Sequence, residues 1–501
     1  MKTRSILHRP VFAFAFALAF VISHSSFVVA QGSLTPPGAP APTMKTLDQL
    51  EPRTPISSLP VTVGSGSYYL TGNLTGGSAQ NGITVSQNAV TIDLNGFELV
   101  GVAGSAAGIF INGNVSNVTI RNGTIRNWGG RSIDGSGNLH VRVENVRVIS
   151  NGGDGIVVGM SGEVMNCLVQ SCTLNGIVTA DNCLIENCQV ISTTGSPGIG
   201  IATNDSCRVS KCVARSNAGI GINPGANANI SGCTMQANGG AGISTGNNAS
   251  ISNCTAQSNA GFGIKVTDNC TIADCTALST TGAGAQGIAT GDTCTVSGCS
   301  ARLNAGDNIR VSSNSTVVKC STSGSAGGNG INAPGGSCLI SQCTANSNNQ
   351  HGINAFQRTR ISDCTANGNS QSGIHNTTVG TVERCFCNGN TVCGILMDAG
   401  GFMDILNNNC SENGPATSGA GIRVSVGGGC RVEGNNLVQN FRGLDILSTR
   451  NDIVKNVAVN NSNADYSIVA GSSVGPIINV AGVGDISGTA GANHPFANFR
   501  Y

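Results

Sequence analysis

The sequence predicts an all-β solenoid, a single-stranded parallel β-helix of about sixteen coils of 21–24 residues with a cap at each end. Three observations predict it. First, Gly-Ile recurs at a nearly constant interval, with its isoleucine at Ile156, Ile177, Ile201, Ile222, Ile243, Ile264, Ile288, Ile331, Ile353, Ile374, Ile395 and Ile422. Asn308-Ile309 and Gly443-Leu444 are variants; most steps are 21 or 22 residues and a few are 24 to 27. Second, the runs between these pairs are short, β-prone and bounded by Gly and Asn. Third, alternation within one coil puts Ile264, Val266, Cys270, Ile272, Cys275 and Ala277 on one face and Lys265, Thr271 and Thr276 on the other. Three strands and three bends per coil describe a triangular cross-section, with coils about 4.8 Å apart and a rod on the order of 75 Å long.

The segments follow in order. Residues 1–30 read as a signal peptide: Lys2, Arg4 and Arg9 precede a 12-residue apolar run, Val11 to Ile22, and Val28-Val29-Ala30 suits cleavage. That run is too short to span a bilayer, and no later stretch is apolar enough to do so. Residues 31–60 hold seven of the fourteen prolines and read as a linker or surface arm, with one helical turn over 43–51. Residues 61–460 read as the β-helix, opening with Gly66–Gly76, Val90–Gly101 and Val118–Trp128. Residues 461–501 lose the period; Gly475–Ile486 and His494–Tyr501 are expected to form the cap that covers an exposed strand edge.

Composition limits the partners. Removing the three basic residues of the signal leaves 23 Lys+Arg against 25 Asp+Glu, a balance unsuited to nucleic acid or an anionic membrane. Export points to a secreted, periplasmic or surface location.

Several columns then stand out. Asn151, Asn217, Asn238, Asn259, Asn304, Asn348, Asn369 and Asn390 each lie five residues before their isoleucine. Asn there suits a left-handed bend and a stack of amides; the functional alternative is a row of sugar-binding amides. Cys188–Cys207 resembles Cys275–Cys294 at a distance of 87 residues, both with a three-residue insertion after Ser-Thr-Thr-Gly, which indicates a duplicated four-coil block. All 21 cysteines lie between Cys167 and Cys430. Twelve form one column from Cys167 to Cys410; Cys183, Cys207, Cys270, Cys294, Cys338 and Cys430 suit a second, and Cys387 and Cys393 fit neither. Buried thiols and inter-coil disulfides both fit this pattern, and a zinc ribbon does not, because no C-x2-C pair occurs.

The residue after each isoleucine faces outward. From Lys265 upward this column turns polar: Lys265, Arg310, Asn332, Asn354, His375 and Arg423 are the ligand-face candidates. Lys265, Arg310 and Arg423 suit carboxylates of an acidic polysaccharide, and His375 suits a base, with Arg310 beside it as the second catalytic candidate. A solvated sheet face explains the same residues without function. Four residues after isoleucine, Asp181 and Asp205, then Asp268 and Asp292, sit on adjacent coils. Each pair suits one calcium ion or an acid–base dyad, and Asp at a bend also caps its own backbone as an Asx-turn.

With Asn259–Val266 and Ser67–Gly76 in hand, the chain resembles the secreted bacterial right-handed parallel β-helix repeat family of the pectin-lyase-like superfamily over about residues 61–460. The resemblance implies the handedness and the fold. It carries over no catalytic residue. The polygalacturonase motifs Asn-Thr-Asp, Asp-Asp, Gly-His-Gly and Arg-Ile-Lys are absent, Gln350-His351-Gly352 being nearest, as are the epimerase Asp-Pro-His and the lyase Arg-x-Pro-x-x-Arg. Two functions are therefore expected: a non-catalytic extracellular scaffold contacting glycans, or a lyase or hydrolase on an acidic polysaccharide. Metal delivery ranks third, with four histidines after the signal, His140, His351, His375 and His494. No cofactor is expected beyond the calcium reading.

Overall fold

Every coil closes because single residues in the left-handed region turn the chain at its corners. In the coil containing Ile264 these are Asn269, Asp274 and Ser279, at φ of 59°, 53° and 55°. They separate the strands Ile264–Val266, Thr271–Ala273 and Thr276–Leu278. The computed structural model describes residues 51–414, 418–482 and 484–501. The signal, most of the 31–60 segment and nearly all of the turn expected over 43–51 lie outside the described residues. The chain divides into Met1–Pro52, of which only Glu51 and Pro52 are described, and the solenoid unit Arg53–Tyr501.

Among the described residues the strands pair in parallel with the coil above and below. Ile243, Ile264 and Ile288 stand in register, as do Ile251, Ile272 and Val296, and Ala256, Ala277 and Ala301. These inward columns are fully buried. The solenoid has about twenty turns rather than about sixteen. The isoleucine column continues downward through Ile133, Ile109 and Ile83 to Val61, and upward to Tyr466. Longer spacings and Ser132 in place of Gly hide these coils in the sequence.

Pairing also starts earlier than residue 61. Thr54–Ile56 lies on Gly66–Leu70, with Ile56 buried; Pro55 is tolerated because an edge strand needs no donor there. At the other end stacking runs past 460, through Ala464–Ile468 and Ser473–Val474. The cap is Ile477–Asn479 beside Asn498–Arg500, which pairs with Val457–Val459.

The asparagine column corrects the sequence expectation. The left-handed residue is the one before each Asn: Ser216, Ala237 and Ser258. That twist turns Asn217, Asn238 and Asn259 into the core, where they are buried, and leaves their backbone N–H pointing along the axis. The next coil's amide captures it: Asn217 N–H donates to Asn238 Oδ1 at 3.1 Å and Asn238 N–H to Asn259 Oδ1 at 3.1 Å. Each side-chain Nδ2 repeats the donation, Asn238 Nδ2 reaching Asn259 Oδ1 at 2.9 Å. These amides are consumed internally and are no row of sugar ligands. The glycine before each isoleucine follows from the same crowding. A Cβ at Gly221 would stand 2.7 Å from Gly242 O and 2.8 Å from Asn238 Nδ2.

The one-coil gap in the column explains Asn308. Ser325 takes the column position, and Asn308, standing where Gly is usual, bridges from Asn304 to Asn348 at 2.8 and 2.9 Å. Asp465, again at a Gly position, ends the column by accepting from Asn461 Nδ2 at 2.8 Å. Both duplicated insertions emerge at this corner, where Thr193 and Thr280 replace Asn and pin their loops to Gly198 O and Ala285 O.

The cysteines do at the other two corners what Asn does here. Cys212 N–H donates to Cys233 Sγ at 3.4 Å, Cys233 N–H to Cys254 Sγ at 3.5 Å and Cys254 N–H to Cys275 Sγ at 3.4 Å. All 21 are buried and none is in a disulfide. Cys172, outside both sequence columns, takes the Asn position of its coil, after left-handed Ser171. Burial pushes its thiol up to about 11, as it does that of Cys393.

Candidate functional site

The outer face of the isoleucine sheet carries two neighbouring columns. One is the residue after each isoleucine, as expected. The other lies two residues before it and was not singled out from sequence. Over coils 307–375 both are polar. Asp307 is nearly buried and its carboxylate only accepts. Oδ1 takes Asn329 N–H at 2.8 Å and Asn329 Nδ2 at 2.9 Å. Oδ2 takes Asn332 Nδ2 at 2.7 Å and faces Arg310 Nη1 at 3.5 Å.

Two chains run upward from this carboxylate. In the first, Asn354 Nδ2 donates to Asn332 Oδ1 at 3.1 Å, and Asn354 Oδ1 lies 2.7 Å from His375 Nδ1. In the second, Asn329 Oδ1 accepts His351 N–H at 3.1 Å, and His351 Nδ1 accepts Ser372 N–H at 3.2 Å. The chains meet where the two imidazoles stack, centroids 4.5 Å apart.

The two rings differ in their hydrogen bonding. His351 accepts at Nδ1, so it is neutral and carries its proton on Nε2. Burial, and then the charge of His375, push its pKa down to about 4. His375 Nε2 points to Asp398 Oδ1 at 2.8 Å, an ion contact without hydrogen-bond alignment, so this nitrogen has no directed partner. Asp398 is 44% exposed and His375 13%.

The structure therefore joins four ligand-face candidates, Arg310, Asn332, Asn354 and His375, and separates two. Lys265 is exposed, leans over the Phe262 ring at 5.2 Å and is parted from Arg310 by the coil of Ala289. Arg423 lies beyond Leu396; its Nε is 2.8 Å from buried Asp445, and Nη2 reaches Ser418 O. The expected row of three cations for an acidic polymer is thus broken. Asp307, Asn329 and Asp398 are the residues that the sequence reading missed, and His351 is named there only as the nearest motif match and as a histidine for metal delivery.

The bend aspartates cap the next coil rather than their own backbone. Asp181 Oδ1 accepts Asp205 N–H at 3.2 Å, and Asp205 Oδ1 accepts Ala226 N–H at 2.8 Å. Asp268 and Asp292 do the same for Asp292 N–H and Ser313 N–H at 2.8 and 2.9 Å. The extended stack explains the change: the unpaired N–H within reach belongs to the coil above. Among the described residues no group of three His, Cys, Asp or Glu is placed to hold a metal ion.

Two open hollows lie away from His375. One of about 440 Å³ is lined by Arg431, Asp452, His494 and Phe496 at the cap. One of about 810 Å³ is lined by Phe402, Val426, Leu447 and Arg450 along loops.

Comparison with known proteins agrees with this architecture. No curated protein matches the chain. Among solved structures it is similar to the periplasmic alginate epimerase, at 8% identity and a TM-score of 0.28 over 67% of this chain and 77% of that one. The mannuronan C-5 epimerase A-module of Azotobacter vinelandii aligns at 11% and 0.24, over 77% and 90%. The Dettilon tailspike protein aligns at 14% and 0.25, over 67% and 63%. Likeness at these values says nothing about activity. The family described as right handed beta helix region matches residues 61–196, 161–301 and 305–464, and the chain belongs to that family.

Proposed function

We propose that this chain is an exported β-helix that contacts a hydroxyl-rich polysaccharide along the face from Asp307 to Asp398, as a scaffold without turnover. One observation carries the reading: Arg310, Asn332, Asn354 and His375 stand in register on consecutive coils, with Arg310 exposed, Asn354 and His375 half-buried and Asn332 buried between them. A polymer lying along the axis meets a polar group about every 4.8 Å. Asn332 and Asn354 use one donor and one acceptor within the chain, and the NH2 of half-buried Asn354 retains a second N–H for a ligand. With Arg423 held by Asp445, hydroxyls suit this strip better than a row of carboxylates. Export rests on the basic start and short apolar run of residues 1–30.

A second reading, acid–base catalysis on a polysaccharide, is favoured by exposed Asp398, backed by the buried His375 Nε2 at 2.8 Å without a directed hydrogen bond. Purified protein screened against neutral and acidic polysaccharides, reading both binding and product release, separates the two. Binding without products is the expected result. Product release moves the catalytic reading ahead, and silence in both channels rejects this face as a glycan site.

A further inference from the structure

We infer that Asp307 sets the position of the proton on His375 through Asn332 and Asn354, which makes Nε2 the proton-exchanging atom of a couple with Asp398. This deepens the acid–base reading of the same site. The argument is one of direction. A carboxylate that accepts Asn329 N–H, Asn329 Nδ2 and Asn332 Nδ2 cannot also donate. Asn332 must therefore turn its NH2 toward Asp307 and its Oδ1 toward Asn354. Asn354 must then give its NH2 to Asn332 and present Oδ1 to the imidazole. An oxygen 2.7 Å from Nδ1 requires a proton on Nδ1. The amide orientations are thus dictated by a group that can only accept, rather than chosen freely.

Neutral His375 consequently has a bare Nε2, 2.8 Å from Asp398 Oδ1. A lone pair and a carboxylate repel at that distance, and a proton on Nε2 makes the contact attractive as a charge contact. The charged and titratable groups around the ring are few. His351 stacks from the coil before and accepts at Nδ1, so it stays neutral. Asp398 faces from the coil after, and Asp307 with Arg310 stand at the far end of the amide chain. Arg423 and Arg442 both pair with Asp445 beyond Leu396. Asp307 is a positioning residue, since it reaches the ring only through Asn332 and Asn354.

The test is the tautomer of His375 in the full chain, read from two-bond proton–nitrogen correlations of 15N-histidine-labelled protein above the titration range, with His375→Gln identifying the signals. One hydrogen bond of ordinary net worth favours Nδ1–H by about fivefold. In Asp307→Asn the new NH2 opposes that of Asn332, the amides turn over, and the proton is expected on Nε2. Adding Asn354→Asp, which again accepts from Nδ1, is expected to restore Nδ1–H. A general loss of structure at Asp307 has no reason to be rescued at position 354. Where Asp307→Asn does not fold, Asn354→Leu on the outer face removes the acceptor and is expected to give a tautomer mixture. Nε2–H in the unaltered protein, or a tautomer unmoved by these substitutions, overturns the inference. No polysaccharide enters the measurement, so a negative glycan screen leaves it standing, and an unmoved tautomer rejects it even where glycans bind.

Discussion

Two polar clusters occupy the same two columns of the same face, one near the bottom of the solenoid and one in its upper half. In the lower cluster, Asp154 Oδ1 accepts Asn175 N–H and Nδ2 at 3.1 Å, and Asn175 Oδ1 accepts Ile199 N–H at 2.9 Å. Asp307 and Asn329 repeat this arrangement above. The ends differ. Below, Arg131 binds both Asp154 and Asp134, and the chain of side chains stops at apolar Ile199. Above, Arg310 reaches one carboxylate at 3.5 Å, and the chains end on two stacked histidines and an exposed aspartate. Capping a backbone N–H of the next coil is therefore a structural device of this face. What sets the upper copy apart is its titratable, open end.

Three substitution series sharpen or break that comparison. The largest effect belongs to the shared device: Asp154→Ala and Asp307→Ala are each expected to cost about 2–4 kcal/mol in denaturant unfolding, because nearly buried donors lose their acceptor. A cost from one several-fold that from the other contradicts a common role.

Next is the acid sensitivity of a half-buried imidazole, a group that the upper cluster holds at His351. His351 resists protonation in the folded state down to about pH 4, whereas the unfolded chain takes up that proton below its ordinary value of 6.5. The unfolded state binds more protons in this window, so the contribution is complete above about pH 6.5 and is lost as pH falls toward 4. Its size is about 1–3 kcal/mol. His351→Asn copies Asn329 and Asn175 of the same column; it is expected to keep the cap for Ser372 and flatten the acid slope. An unchanged slope in that variant assigns the sensitivity elsewhere.

The smallest effect tests the closing arginine. Arg131, whose pKa is raised by its two carboxylates against the opposing effect of burial, is expected to cost about 1–2 kcal/mol as Arg131→Gln. Arg310→Gln, with one long contact and 45% exposure, is expected to cost less than about 0.5 kcal/mol. Reversal of that order would make Arg310 a structural clamp rather than a ligand group.

Much of the fold is legible because its demands fall on single residue types. Gly fits beside the next coil's carbonyl with least crowding, Ser132, Asn308 and Asp465 being exceptions, and Ile fills the core, so Gly-Ile repeats visibly. The corners are harder to read, since the left-handed residue is Ser, Ala, Asn, Lys or Asp according to the coil, and the residue that stands out is the buried one after it. Cys172 escaped assignment for the same reason. At the face, the column after isoleucine is read directly. The column of Asp307, Asn329, His351 and Ser372 shares no residue type, and only the hydrogen bonds between its members reveal it. Hydrogen-bond direction, on which the role of Asp307 rests, leaves no trace in spacing. Asn308 shows the same limit: in sequence it is an irregular Gly-Ile, and in the structure it is the amide that closes a gap.

The most direct test of the account is a matched pair of variants on the two clusters, measured for polysaccharide binding by affinity electrophoresis. Asn354→Leu and His375→Leu open the upper cluster; Asn175→Leu alters the lower one in the same column system. The account predicts that the upper substitutions reduce binding at least about tenfold while Asn175→Leu leaves it within twofold. Equal losses from both, or retention by all three, would contradict a binding face between Asp307 and Asp398.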